Sequence, residues 1–285
     1  MKIENKTIEE EHALCGHEYV RMENCRVQGS ESSFALKECG RVEAANCVFD
    51  ATYPLWHDLS AELQGCEITT NGRAALWCTR DIVLSETKLY GTKALRECKN
   101  VVIKYCDVAS NEFGWDTDGL RMTDSTAKGE YFLMRASNIA VRRLDFKGKY
   151  PFQYVKDGII MDSKLDTKCA FWHSKNVTVE NSVIIGEYVG WYSTNLTLKN
   201  CTIIGTNPFC YCKKLRLVDC VMQNTDRAFE RSEVYAVLRE SVDSIKNPYK
   251  GVIKLPSAGE VIRDDRNAKC KILFDPMLKR GEARK

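Results

Sequence analysis

Residues 171–220 read FWHSKNVTVENSVIIGEYV (171–189), GWYSTNLTLKNCTIIGTNP (190–208) and FCYCKKLRLVDC (209–220), three versions of one phrase at nineteen-residue steps. A fixed step near twenty residues is the mark of a solenoid and takes precedence over local secondary-structure signals. Read backwards, the phrase begins at Phe152, Leu133, Gly114, Leu95 and Leu76 without an insertion. It begins earlier at Leu55, Leu36 and Leu14, with two or three extra residues in two of these units, making eleven units through Arg227.

Within a unit the seventh and ninth residues are apolar, as in Val177 and Val179 or Leu196 and Leu198. The twelfth is small, in the series Cys25, Cys47, Cys66, Thr87, Cys106, Ser125, Ser163, Ser182, Cys201 and Cys220, with Leu144 the exception, and the fourteenth is apolar again. Spacing of two belongs to strands, whereas a helical stripe recurs at three and four. Two short strands therefore face one interior. The polar corner between them is Asn or Asp in Asn24, Asn46, Asp124, Asp162, Asn181, Asn200 and Asp219. A second corner falls at Asn100, Asn138, Asp157, Asn176 and Asn195. Such residues tolerate left-handed backbone and bond locally. A third strand carries the apolar first residue, and each coil buries its inner face only against its neighbours.

The pattern predicts an all-β, single-stranded parallel β-helix of about eleven regular coils over 14–227. Looser coils close it over 228–275, a tail follows over 276–285, and 1–275 form one domain. A leucine-rich repeat would need an asparagine ladder and L-x-x-L-x-L spacing, both missing, and a pentapeptide helix would show period five.

Forty-two basic and thirty-nine acidic residues give a net charge of +3 without a basic stripe, so nucleic acid is not an expected partner. No apolar run is long enough to predict a membrane span. The opening MKIENKTIEEEHALCG has no apolar leader core, which predicts cytoplasmic residence and reduced thiols for the fourteen cysteines.

Segments such as YPLWH at Tyr53, RAALWC at Arg73, NEFGW at Asn111, DTKCAFWHSKNV at Asp166, GEYVGWYS at Gly186 and SIKNP at Ser244 resemble an uncharacterised microbial family. That family is described only as a domain of unknown function of the pectin-lyase-like β-helix group. The resemblance spans the chain and implies right-handed coiling; it brings no catalytic residues.

DTDG at Asp116 to Gly119 is similar to the NTDG signature of polygalacturonases, inverting glycosidases that use one acid and one base. Their paired aspartates should follow one coil on, where Arg135, Ala136 and Ser137 stand, and no Gly-His-Gly occurs. Common turn composition accounts for four such residues better than the signature does. Asp116, Asp118 and Asp124 with Arg135 also supply the residue types of a calcium-dependent lyase, although calcium needs six to eight converging oxygens. No C-x-x-C pair suggests zinc, and cysteines that interchange with Ser and Thr read as a small internal ladder. No metal or cofactor is expected.

The second and third residues of successive coils form a stripe. With Asp118 from the DTDG turn, it predicts Glu97, Asp116, Arg135 and His173 as catalytic candidates and Trp115, Tyr154, Trp172, Trp191 and Tyr192 as ligand-binding candidates. Aromatic rings beside acids and bases suit a saccharide. The expected function is saccharide binding or polysaccharide processing, by a glycoside hydrolase or polysaccharide lyase if the protein is an enzyme. The rival is a non-catalytic scaffold whose aromatic face binds protein or a second copy of the chain. Because strict alternation turns the third residue inward, these polar side chains must escape at a bend or form a paired buried stack.

Overall fold

A computed structural model describes residues 1–10, 12–29 and 35–278. The chain is an all-β parallel solenoid, and its helical content among the described residues is the single 3-10 turn Pro276–Leu278. It divides into two compact units, residues 1–147 and 148–285.

In unit 1, equivalent residues of successive coils pair in parallel, with Ile82 beside Val101 and Val101 beside Leu120. The second strand of the coil repeats the register, Ile68 beside Leu89 and Leu89 beside Val108. Two-residue strands form a third side in the order Leu36, Leu55, Leu76 and Leu95. The two-residue strands end there: the next coil adds only the single bridge from Arg96 to Trp115, and its first residue, Gly114, has positive φ, as does Leu133 one coil on, unlike Leu36, Leu55, Leu76 and Leu95. One coil precedes the predicted first one: Lys2–Glu4 and Thr7–Ile8 pair with Tyr19–Glu23 and Arg26–Gln28.

In unit 2, Val177 pairs with Leu196 and Leu198 with Leu217, while Ile184, Ile203 and Met222 stack along the second side. Tyr150, Phe152 and Tyr154 again have positive φ, so the third side is turned. The pairing slips between Leu217 and Cys220, then continues through Glu233–Leu238, Lys250–Leu255 and Lys271–Phe274. These are the expected closing coils. Of the expected tail, residues 279–285 lie outside the described residues.

The corner residues have positive φ, from Asn24 at 52° to Asn200 at 49°. Their side chains do more than bond locally: they bond from coil to coil, Asn195 Nδ2 to Asn176 Oδ1 at 2.9 Å and Asn176 Nδ2 to Asp157 Oδ1 at 2.8 Å. Gly186, with φ of 139°, has no room for a Cβ, which would lie 1.5 Å from the Thr167 carbonyl oxygen of the preceding coil.

The twelfth residues are buried as expected, with Cys47, Cys66, Ser182 and Cys201 at most 2% exposed. Smallness is only part of the reason. Ser182 Oγ accepts the Ser163 N–H at 3.1 Å, pairing a buried backbone donor at the corner, and donates to the Glu180 carbonyl at 2.7 Å, which also accepts the Asp162 N–H. Thiols do the same, the Cys47 N–H donating to Cys66 Sγ at 3.4 Å. A donor and acceptor on a short stem is required, which is why Cys, Ser and Thr interchange there. None of the fourteen cysteines is in a disulfide, and all but Cys15 and Cys78 are buried.

Candidate functional site

Backbone conformation decides where the stripe points. Glu97, Asp116, Arg135, Tyr154, His173, Tyr192 and Tyr211 all have φ between 52° and 58°. A left-handed residue breaks the strand alternation, so the third residue leaves the coil while the fourth is buried, as at Cys98, Thr117, Ser174 and Ser193. Of the two routes open to these side chains, the bend is the one taken.

In unit 1 the stripe closes on itself. Arg135 grips Asp116 with two N–H groups, Nε standing 2.8 Å from Oδ1 and Nη2 bonding Oδ2. Arg96 Nε donates to Glu97 Oε1 at 2.8 Å, and the Cys78 thiol faces the other oxygen at 3.6 Å. The Trp115 ring receives Arg96 from the preceding coil at 5.6 Å and Arg135 from the following one at 5.3 Å. Arg96 also covers Trp77 at 5.5 Å. Cations and π faces thus alternate along the column.

The Arg96 hydrogen bond holds the Glu97 carboxyl below its ordinary range. Asp118 is held low by hydrogen bonds from Ser137 Oγ and Asn138 Nδ2, each at 2.7 Å, and belongs to the corner ladder. It shares no bonding partner with Asp116. Asp124 gives both oxygens to Arg143. Among the described residues no three His, Cys, Asp or Glu side chains gather where a metal ion could be held. Asp58 is pushed the other way, up to about 7, because it is buried in the unit 1 interior. Its Oδ1 accepts the Cys39 N–H at 2.8 Å while Oδ2 has no partner. At 1% exposure it faces no substrate.

In unit 2 the stripe is open. Tyr154, His173, Tyr192 and Tyr211 stack ring on ring at centroid separations of 5.1, 5.1 and 4.8 Å, with interplanar angles of 7°, 7° and 9°. Arg231 closes the far end, its guanidinium 5.8 Å from the Tyr211 ring and Nη1 3.4 Å from the Tyr211 hydroxyl. Trp172 and Trp191 stack beside the ladder at 5.8 Å, and Tyr188 lies on Trp191 at 5.1 Å. Because the ladder rings face one another, they offer solvent their edges and polar tips. The ladder therefore presents an array of tips rather than open ring faces. Among the described residues, the Tyr154 and Tyr192 hydroxyls and the His173 imidazole have no hydrogen-bond partner; both tyrosines are about 40% exposed.

Two residues further along each coil runs a second outward row, Lys156, Lys175, Thr194 and Lys213, each beside the next in the parallel ladder. The three lysines are exposed and make no ion pair among the described residues. This row was missed in the sequence reading, as was the Arg231 end. The lysine signal was available as the same nineteen-residue step, counted from the fifth coil position instead of the third. Nearby acids are occupied, Glu187 by Lys168 and Glu230 by Lys246, each at 3.1 Å, and Asp157 by Asn176.

A family model described as a protein of unknown function (DUF3737) matches residues 1–273, and the chain belongs to that family. Among curated proteins none matches the sequence. Solved structures give distant likenesses. The mannuronan C-5 epimerase AlgE4 A-module of Azotobacter vinelandii is 10% identical, covering 83% of this chain and 78% of its own, with a TM-score of 0.34. A family 28 exopolygalacturonase of Yersinia enterocolitica is 9% identical over 96% and 73%, at 0.29. The surface adhesin PfbA of Streptococcus pneumoniae is 8% identical over 95% and 70%, at 0.23. Likeness of this degree transfers no role to any residue.

Proposed function

We propose that this protein binds an extended acidic saccharide along the ring ladder of unit 2 and acts as a recognition module. The observation that carries the reading is the pair of outward rows repeating once per coil: the unpartnered tips of Tyr154, His173 and Tyr192, and the unpaired Lys156, Lys175 and Lys213. Coils repeat at about 4.8 Å, so both rows offer a polymer the same contact at each step. Tyr hydroxyls and the imidazole exchange hydrogen bonds with sugar hydroxyls, and the ammonium groups receive carboxylates. Rings locked by stacking lose little freedom on binding, which favours affinity.

Recognition is favoured over hydrolysis because inverting hydrolysis requires a carboxyl held protonated beside the scissile bond. Glu97 and Asp118 are held ionised, Asp116 is clamped by Arg135, and Asp58 is interior. The test is calorimetric titration with uronate and neutral oligosaccharides, with product analysis. Uronate oligomers should bind, more weakly as salt rises, and emerge uncleaved. Tyr192→Ala and His173→Ala should each weaken binding at least about tenfold, the scale of one lost hydrogen bond with its packing. Absence of binding, or binding indifferent to both substitutions, would overturn the proposal, and cleavage would restore the enzyme reading. A dimer abolished by Tyr192→Ala would support the rival scaffold.

A further inference from the structure

The last strand of unit 2 leaves core residues uncovered. One coil earlier, Ile253 and Leu255 are completely buried, covered by their register partners Ile272 and Phe274. Nothing described covers those partners in turn: Ile272 is half-buried, Phe274 is 54% exposed, and Leu273 and Met277 are also exposed. The residues after Leu278, KRGEARK, contain no apolar side chain larger than alanine. By contrast, the first strand of unit 1 is blunted by charge, with Lys2 and Glu4 paired to each other at 2.5 Å.

The free edge also has hydrogen bonds to give. Among the described residues Lys271–Phe274 pairs only with Lys250–Leu255. The Asp275 N–H bonds the Leu255 carbonyl at 2.9 Å, and the Lys269 N–H bonds the Tyr249 carbonyl at 3.1 Å. The Cys270 N–H just before the strand also bonds inward, to the Pro248 carbonyl at 3.2 Å; within the strand, counted from Asp275, Leu273 and Lys271 direct their backbone groups inward, and by alternation Ile272 and Phe274 direct theirs to the open edge.

We propose that this edge pairs with a second copy of the chain, antiparallel across a two-fold axis at Leu273. The sequence KILFD, residues 271–275, is complementary to its own reverse. In this register Ile272 lies opposite Phe274 of the other copy, and the residues whose backbone groups are free exchange both hydrogen bonds. Leu273 meets Leu273, and Lys271 meets Asp275 at both ends. The uncovered core residues of the two copies then cover each other, and Pro276 ends the pairing after Asp275. The pairing is closed, giving dimers and no longer assemblies. It does not depend on the saccharide proposal.

The test is sedimentation equilibrium of the full chain, wild type and variants, over a wide concentration range. Wild type should reach a dimer. Leu273→Lys, which sets like charges against each other on the axis, should leave monomer. Lys271→Asp alone and Asp275→Lys alone each create two like-charge pairs and should weaken the dimer about tenfold or more. An equimolar mixture of those two single variants restores both opposite-charge pairs and should recover dimer, now mixed. A monomeric wild type, a dimer indifferent to Leu273→Lys, or a mixture no stronger than its components would overturn the proposal. Circular dichroism of each variant confirms that it is folded.

Discussion

At the same coil position unit 1 presents Glu97, Asp116 and Arg135, whereas unit 2 presents Tyr154, His173, Tyr192 and Tyr211. Both sets leave the coil through the same left-handed backbone. Stacked coils force like positions into contact, and what stands there decides the outcome. Acid above base consumes both, and an arginine beside tryptophan consumes the ring face, so the unit 1 column is occupied by itself. Ring above ring consumes faces but leaves hydroxyls and imidazole nitrogens at the edge, so the unit 2 column is settled internally and still open outward.

The difference extends to the interior, and there the largest effect is expected. Beneath the stripe, unit 2 buries Ser174 and Ser193, while unit 1 buries Asp58. Burial raises the Asp58 carboxyl from 3.8 to about 7. Between pH 4 and 7 the folded chain keeps a proton that the unfolded chain has lost, so this residue makes stability fall as pH rises, by up to roughly 4 kcal/mol before levelling above pH 7. Asp58→Asn keeps an acceptor for the Cys39 N–H and should flatten that fall, gaining most stability at pH 8. Urea unfolding at pH 5, 6, 7 and 8 checks this; an unchanged slope would show that Asp58 does not titrate in this range.

The next effect concerns ligand. Tyr192→Ala in unit 2 should cost about 1.4–3 kcal/mol of saccharide affinity, by removing a tip and unstacking His173 and Tyr211. Trp115→Ala in unit 1 should leave affinity unchanged while lowering stability by a similar amount, since its ring is enclosed by Arg96 and Arg135. Parallel titrations and unfolding curves separate the two; a Trp115→Ala variant that loses binding would erase the contrast between units.

Replacing Lys156, Lys175 and Lys213 together by Gln should reduce uronate affinity and flatten its salt dependence, leaving neutral oligosaccharides unaffected. Each exposed ion pair contributes at most about 1 kcal/mol, so the triple change is needed for a clear reading. Titrations at low and high salt measure it, and an unaltered salt slope would remove the lysine row from the site.

The nineteen-residue step made the coil, its register and the burial of Cys47 or Ile203 legible, because strand periodicity and stacking are properties of residue order. The ion pair of Asp116 with Arg135 was legible in the same way, one coil apart. Side-chain direction at the third position was not. Left-handed backbone is expected at Asn and Gly, yet here Glu, Asp, Arg, His and Tyr adopt it because the coil geometry demands a bend. Ring orientation was equally hidden, since composition does not say whether Tyr154 and His173 turn faces or edges outward. The first coil was missed because Ile3 and Ile8 are the only strong apolar residues on its strands.

The smallest expected effect is the sharpest test of closure. In unit 1 the Arg135 side chain is 52% exposed and Asp116 29%, so their bidentate bond lies in solvent reach. Exposed pairs contribute about 0.2–1 kcal/mol, screened by salt. A double-mutant cycle with Asp116→Asn and Arg135→Gln should therefore give a coupling below about 1 kcal/mol in unfolding free energy, shrinking toward zero in high salt. Saccharide affinity should be the same in all four proteins, since neither side chain belongs to the open column. Constant affinity together with a small, salt-sensitive coupling is the behaviour of a stripe whose charges serve only each other. If Asp116→Asn instead reduced binding or turnover while the chain stayed folded, the DTDG turn would regain its standing as a site, and the division between a closed and an open stripe would fail at the residue where the two readings meet.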